Sequence, residues 1–147
     1  VKLLIAGSGP RASVTKLKRE ISTLHVNAKY LGPVSFTRKW SILSQSDVFC
    51  LPSYLDAYPS AILEAMSDSV PVISTKEIDS PIVDGVSGLL VNAGNIQSLA
   101  DAIEKLANNP NLRHKIGQKG KSTVQNLNWI KQARKLIKLY EYFLTHR

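Results

Sequence analysis

The sequence predicts a doubly wound α/β fold, Rossmann-like, built on a parallel sheet. Short apolar runs alternate with segments of helical periodicity. The apolar runs are continuous rather than alternating, as in strands covered on both faces, and most of them stop at glycine, proline or serine. In such a sheet ligands bind outside the carboxyl ends of the strands, so the loops that follow the strands are where chemistry is expected.

Residues 2–6 form an apolar run stopped by Gly7-Ser8-Gly9-Pro10, which reads as a buried strand ending in a tight turn. Residues 11–24 place Val14, Leu17, Ile21 and Leu24 on one helical face. A second strand over 28–31 closes at Gly32-Pro33, and a second helix over 36–44 turns Trp40 and Leu43 inward. The third strand covers 48–52. A loop over 53–59 leads to a short helix over 60–67 and a fourth strand over 70–74. The turn-rich Asp84-Gly85-Val86-Ser87-Gly88 then precedes a fifth strand over 89–91. Helices over 96–107, 112–127 and 129–144 follow. The last has Ile130, Ala133, Leu136, Ile137, Tyr140 and Leu144 along one side and Lys131, Arg134, Lys135 and Lys138 along the other.

At 147 residues the chain can bury one core, and a single domain over 1–147 is the expectation. It opens directly on a strand, which suggests a domain cut from a longer protein at its N-terminus. No apolar run approaches the roughly 18 residues of a membrane-spanning helix, and no charged-then-apolar leader is present. A single cysteine, Cys50, excludes an internal disulfide and a thiolate metal cluster and fits a reducing compartment. A cytoplasmic protein is therefore expected. The net charge of +8 is uneven: residues 1–39 carry eight Lys or Arg against Glu20 alone, while most acids lie between Asp47 and Glu104. A basic field attracts phosphorylated ligands, polyanions and anionic lipid alike. The basic side of the last helix is read first as a solvated face, with peripheral contact to an anionic membrane as the functional alternative. Nucleic acid is not expected as a partner, because Trp40, Trp129 and Tyr140 all fall at core-facing positions instead of among exposed basic residues.

Two places could carry chemistry. Gly7-Ser8-Gly9-Pro10-Arg11-Ala12 satisfies a permissive dinucleotide fingerprint, but the strand after it ends in Gly32-Pro33 without the acid that would hold a ribose. Glycines needed only for the turn explain it better. The second place is the loop and helix after the third strand. Asp56 lies in the loop, Glu64 lies one turn into the helix, and Pro59-Ser60 opens that helix. The first backbone amides of a helix suit phosphate oxygens, and flanking carboxylates suit hydroxyls. Together they fit a nucleotide sugar. The ordinary alternative is a polar helix stripe of Ser60, Glu64, Ser67 and Asp68 beside Ile62, Leu63 and Met66.

Several spaced motifs in order then resemble glycosyltransferase family 4 (glycosyl transferases group 1). They are Asp47-Val48-Phe49-Cys50-Leu51-Pro52-Ser53, the run from Asp56 through Glu64-Ala65-Met66, Val70-Pro71-Val72-Ile73-Ser74, and Asp84 through Val91, with Ile5 to Pro10 and Leu31 to Val34 upstream. The resemblance covers nearly the whole chain. It implies the C-terminal, donor-binding half of a GT-B fold and transfer of a sugar from a UDP-, GDP- or ADP-sugar with retention at the anomeric carbon. No metal or other cofactor is implied, and the acceptor is held by an N-terminal domain. The family's Glu-x7-Glu motif maps onto Asp56 and Glu64, which makes Glu64 the ribose ligand and Asp56 the catalytic, sugar-side carboxylate. Ala57, Tyr58, Pro59, Ser60, Ala61 and Ile62 between them, with Gly7 and Gly9, complete the expected donor site.

The chain departs from the family pattern at three points. Asp56 replaces glutamate; Ala57 and Tyr58 replace the usual glycine and phenylalanine; and Ser74-Thr75-Lys76-Glu77-Ile78-Asp79-Ser80-Pro81 stands where a Gly-Gly turn is common. The Arg and Lys that usually neutralise the diphosphate precede the first strand, so Lys76 is a candidate phosphate contact, with a surface lysine as its plain alternative. These departures leave a second reading, a non-catalytic nucleotide-sugar or phosphate-binding module.

Overall fold

A computed structural model describes residues 1–127 and 129–146. The chain divides into two compact units, Val1–Ile42 and Leu43–Arg147. The elements run β1 (Leu3–Ala6), α1 (Arg11–Thr23), β2 (Ala28–Gly32), α2 (Phe36–Leu43), β3 (Phe49–Leu51), α3 (Ser60–Ser67), β4 (Val72–Thr75), β5 (Leu89–Val91), α4 (Ile96–Ala107), α5 (Pro110–Gln125) and α6 (Trp129–Thr145). Every named strand pair is parallel. The strands are shared between two sheets, β1-β2 and β3-β4-β5.

In the first unit β1 pairs with β2 from Leu3 opposite Ala28 to Ile5 opposite Tyr30, and the register shifts before Ala6 meets Gly32. The turn after β1 is tied to the end of β2. Gly7 N–H donates to the Gly32 carbonyl at 3.0 Å, and the Tyr30 hydroxyl donates to the Gly7 carbonyl at 2.9 Å. Gly7 sits at φ 141°, a backbone state that an L side chain rarely adopts, which is what the turn requires of it. Two expectations fail here. Leu3 and Leu4 of β1 are exposed, because no described helix packs extensively over β1. Leu24 is 68% exposed: α1 stops at Thr23, and only Val14, Leu17 and Ile21 of the proposed face are half-buried.

In the second unit the sheet order is β3-β4-β5, with Cys50 opposite Ile73 and Ile73 opposite Leu89. Alternate residues of β4 face opposite sides, as the strand pleat requires. Val72 joins Leu43, Ile62, Ala65, Met66, Val70, Ile78 and Ile82 in one core cluster. Ile73 joins Leu89, Val91, Ala102, Leu106 and Ile116 in the other. Asparagines start α4 and α5: Asn95 Oδ1 accepts from Ser98 N–H at 2.9 Å and Asn109 Oδ1 from Leu112 N–H at 3.0 Å, with Pro110 in the first turn.

The last helix corrects another expectation. Ile130, Leu136, Ile137 and Leu144 are exposed and Tyr140 is 60% exposed, so the apolar side of α6 is not part of a described core. Periodicity put these residues on one side, but α6 makes no extensive contact with another described element. Of the aromatics expected in the core, Trp40 is half-buried, Tyr140 is outside it, and the Trp129 side chain lies outside the described residues.

Helices α3 and α5 approach closely where α3 ends. Asp68 is the last cap residue and Ser69 takes a left-handed φ of 61°. Ser69 N–H donates to the Met66 carbonyl at 3.0 Å and Val70 N–H to the Ala65 carbonyl at 2.9 Å, the bond pair of a Schellman stop. Gly117 of α5 packs against this stop, and a Cβ there would lie 2.0 Å from the Ser69 carbonyl oxygen. Gly117→Ala should therefore lower stability by about 1–3 kcal/mol, the usual cost of overpacking. An unchanged urea midpoint would show that α5 can move away from Ser69 at no cost.

Candidate functional site

Asp56, Tyr58 and Glu64 belong to the second unit, on the segment that leaves β3 and enters α3. Asp56 is half-buried, and its carbonyl accepts from Asp79 N–H at 3.4 Å where Ala57 and Asp79 form an isolated parallel bridge. Tyr58 is exposed and carries φ 61°. A bulky side chain in the left-handed region costs on the order of 1–2 kcal/mol, so this conformation is imposed by the fixed segments on either side. Ala57 is exposed and Pro59 half-buried.

Pro59 is the N-cap of α3 and supplies no side-chain cap hydrogen bond. Ser60 is exposed and Ala61 half-buried, both at the start of the helix. Ile62 is different. Its side chain is fully buried in the core, and its N–H donates to the Pro59 carbonyl at 3.1 Å, so this amide of the expected set is engaged within the helix itself. Glu64 is half-buried, with its Oε2 atom buried. Ile62, Ala65 and Met66 give α3 one packed face, with Ala61 and Glu64 half-buried beside it.

Lys76 is exposed, and its backbone N–H donates to the Val91 carbonyl at 3.0 Å, which places it beside β5. Its side chain lines an open depression of about 300 Å³ together with Asp84, Asn92, Asp101 and Lys105. Neither Asp56 nor Glu64 lines it. Gly7 and Gly9 belong to the first unit, at the β1–α1 turn described above.

Residues that sequence reasoning passed over lie next to the Asp56 loop. The Ser74 hydroxyl donates to the Leu51 carbonyl at 3.0 Å, and the Thr75 hydroxyl donates to the Ser53 carbonyl. Both side chains are buried. Two consecutive hydroxyl residues at the end of an apolar strand were the available signal, because a buried hydroxyl must find a partner.

With the geometry in place, comparison with known proteins fixes the class. The C-terminal domain of a glycosyl transferase group 1 family protein from Francisella tularensis superposes with a TM-score of 0.75 at 25% identity, covering 84% of this chain and 67% of that one. Sucrose-phosphate synthase from Thermosynechococcus elongatus superposes with a TM-score of 0.81 at 23% identity, covering 99% of this chain and 39% of that one. The fold is the Rossmann-like C-terminal half of a GT-B glycosyltransferase. In sequence, phosphatidyl-myo-inositol mannosyltransferase of Mycobacterium leprae is 30% identical over 149 residues, 99% of this chain and 39% of that protein. The family described as "Glycosyl transferases group 1" matches over residues 1–123, and this chain belongs to it. The chain spans about two-fifths of the length of the mycobacterial relative. No helix of the described residues is long and apolar enough to cross a membrane.

Cys50, in the middle of β3, packs against the Ile73–Leu106 cluster, and burial raises its thiol from 9.0 to about 11. The thiol should resist a thiolate-specific reagent such as DTNB at pH 8 and react rapidly in urea. Because the folded value lies above the unfolded one, the neutral thiol contributes stability that is fully present below about pH 9 and is lost as the pH rises toward about 11. Equal labelling rates with and without urea at pH 8 would contradict the burial.

Proposed function

We propose that this chain binds the nucleotide-sugar donor of a retaining glycosyltransferase of family 4, with the donor lying along the segment from Asp56 to Glu64. The observation that carries the reading is that segment itself, in a chain of the glycosyl transferases group 1 family: a half-buried carboxylate in the loop after β3, a helix start without a side-chain cap, and a second half-buried carboxylate one turn on. Glu64 takes the ribose hydroxyls and Asp56 the donor sugar. The amides of Ser60 and Ala61 take the diphosphate, with the backbone of Ala57, Tyr58 and Pro59 shaping the approach. Gly7 and Gly9 lie in the first unit, and no role is given to them in this reading. Lys76 is left as a surface lysine.

The chemistry follows from where charge develops. As the bond between the anomeric carbon and the diphosphate breaks, negative charge grows on the leaving oxygen, and preorganised amides stabilise that charge without reorganising. Asp56 is an aspartate in a glutamate position, one methylene shorter, so it serves a sugar hydroxyl only at close approach. The acceptor is bound by the remainder of the protein. Catalysis requires donor and acceptor to be held together, a proximity effect of roughly 7–11 kcal/mol, and this chain by itself is not expected to catalyse transfer.

Two measurements test the reading. Calorimetry against UDP, GDP and ADP should detect binding of one of them, and Glu64→Ala should weaken it tenfold or more, since hydrogen bonds to a charged group contribute about 1.5–3 kcal/mol. Equal affinity in the two forms removes Glu64 from the site. In the full-length protein Asp56→Asn should depress turnover strongly with nucleotide affinity nearly unchanged, and Asp56→Glu should be tolerated. A full-length protein without hydrolysis or transfer on any common nucleotide sugar favours the non-catalytic binding module.

A further inference from the structure

The carboxyl ends of β3 and β4 are joined by more than their ladder. The last paired residues are Leu51 and Ser74. Beyond that point the Thr75 hydroxyl, on a side chain 1% exposed, donates to the carbonyl of Ser53, the second residue past the end of β3. The Ser53 hydroxyl in turn donates to the Leu55 carbonyl at 3.1 Å, next to Asp56. On the far side, Asp79 N–H reaches the Asp56 carbonyl at 3.4 Å. That bond is long for an N–H donor and correspondingly weak. Ser53 is held at its N–H, which donates to the Leu51 carbonyl at 3.1 Å within the same segment, and at its carbonyl by the Thr75 hydroxyl, which is the tie across to β4.

Ser74 does not have the same role. Its hydroxyl bonds Leu51, which the ladder already holds. Thr75 acts where the β3–β4 ladder has ended, on a residue that lies outside that pairing. If the hydroxyl is lost, the carbonyl of half-buried Ser53 loses this donor and its tie to β4, and the loop is loosened near its start.

We propose that Thr75 is a positioning residue: its hydroxyl fixes the Ser53 carbonyl and so determines where the following loop presents Asp56 to the donor sugar. This rests on the reading of Asp56 as the sugar-side carboxylate. A misplacement near 1 Å of a group that orients substrate is enough for a hundredfold loss of rate.

The test uses the full-length protein and follows release of nucleoside diphosphate from a panel of UDP-, GDP- and ADP-sugars, with nucleotide affinity by calorimetry and melting temperature alongside. Thr75→Val keeps the side-chain shape and removes the donor. It should lower kcat by about ten- to a hundredfold while nucleotide affinity stays within about twofold. Thr75→Ser restores the hydroxyl and should recover most of the rate despite losing the methyl group. Thr75→Cys, similar in size but a weak donor, makes the same comparison if the valine variant does not fold. The inference is overturned if Thr75→Val retains kcat within about twofold while Asp56→Asn is severely impaired, or if the valine and serine variants lose rate equally. If Asp56→Asn itself keeps full turnover, or the wild type has none, the reading of Asp56 as the catalytic sugar-side carboxylate fails and the positioning role goes with it.

Discussion

Strand β4 is the constraint on which the second unit depends. It has a parallel neighbour on each edge and a core cluster on each face, and all four of its residues are buried. Because side chains alternate, a one-residue slip would send Val72 toward the cluster built for Ile73 and the reverse. The slip would also strand the Ser74 and Thr75 hydroxyls away from the carbonyls that now accept from them. Each buried polar group left unpaired costs about 1–3 kcal/mol, so these hydroxyls discriminate between registers as well as joining strands.

The candidate donor segment inherits its shape from that register. At one end it departs from the secured tip of β3; at the other it enters α3, whose Ile62, Ala65 and Met66 are locked in the core and whose last turn is held against Gly117. The strained backbone of Tyr58 lies between these fixed ends. Such a conformation persists only where both flanks over-determine it. A loop held this way presents Asp56 and the first turn of α3 with little freedom to rearrange.

Much of this was legible in the sequence, and the reasons differ by element. The bounds of α3, β5 and α4 follow directly from residues 60–67, 89–91 and 96–107, where periodicity and polar boundaries agree. Helix α5 begins earlier than Leu112 because Asn109 and Pro110 form a proper start that the apolar pattern does not show. The apolar seams of α1 and α6 were visible, but periodicity reports which residues share a side and not whether anything covers it; Leu24 and Tyr140 are exposed for that reason. The division of strands between two sheets is a matter of non-local pairing, to which local pattern is blind. For the candidate site, Asp56 and Glu64 stood out by spacing and family resemblance. Thr75 did not, since a hydroxyl at a strand end reads as surface until its partner 22 residues away is known.

A sheet assembled only from crossovers is slow to close. The Leu51–Ser74 contact spans 23 residues, and no β-hairpin nucleates any named strand of this unit. Loop-closure entropy must be met before these pairs form, so β4 stays exposed for much of folding. Its run Val70-Pro71-Val72-Ile73-Ser74-Thr75 is uncharged and rich in β-branched residues, which favours association when it is left open, and Pro71 within it interrupts such pairing. Asp68 stands just before this run and Lys76 just after it, both exposed in the folded chain. Charges in those positions act as gatekeepers against intermolecular strand stacking. The charge of Lys76 thus has a consequence for the chain before it has folded.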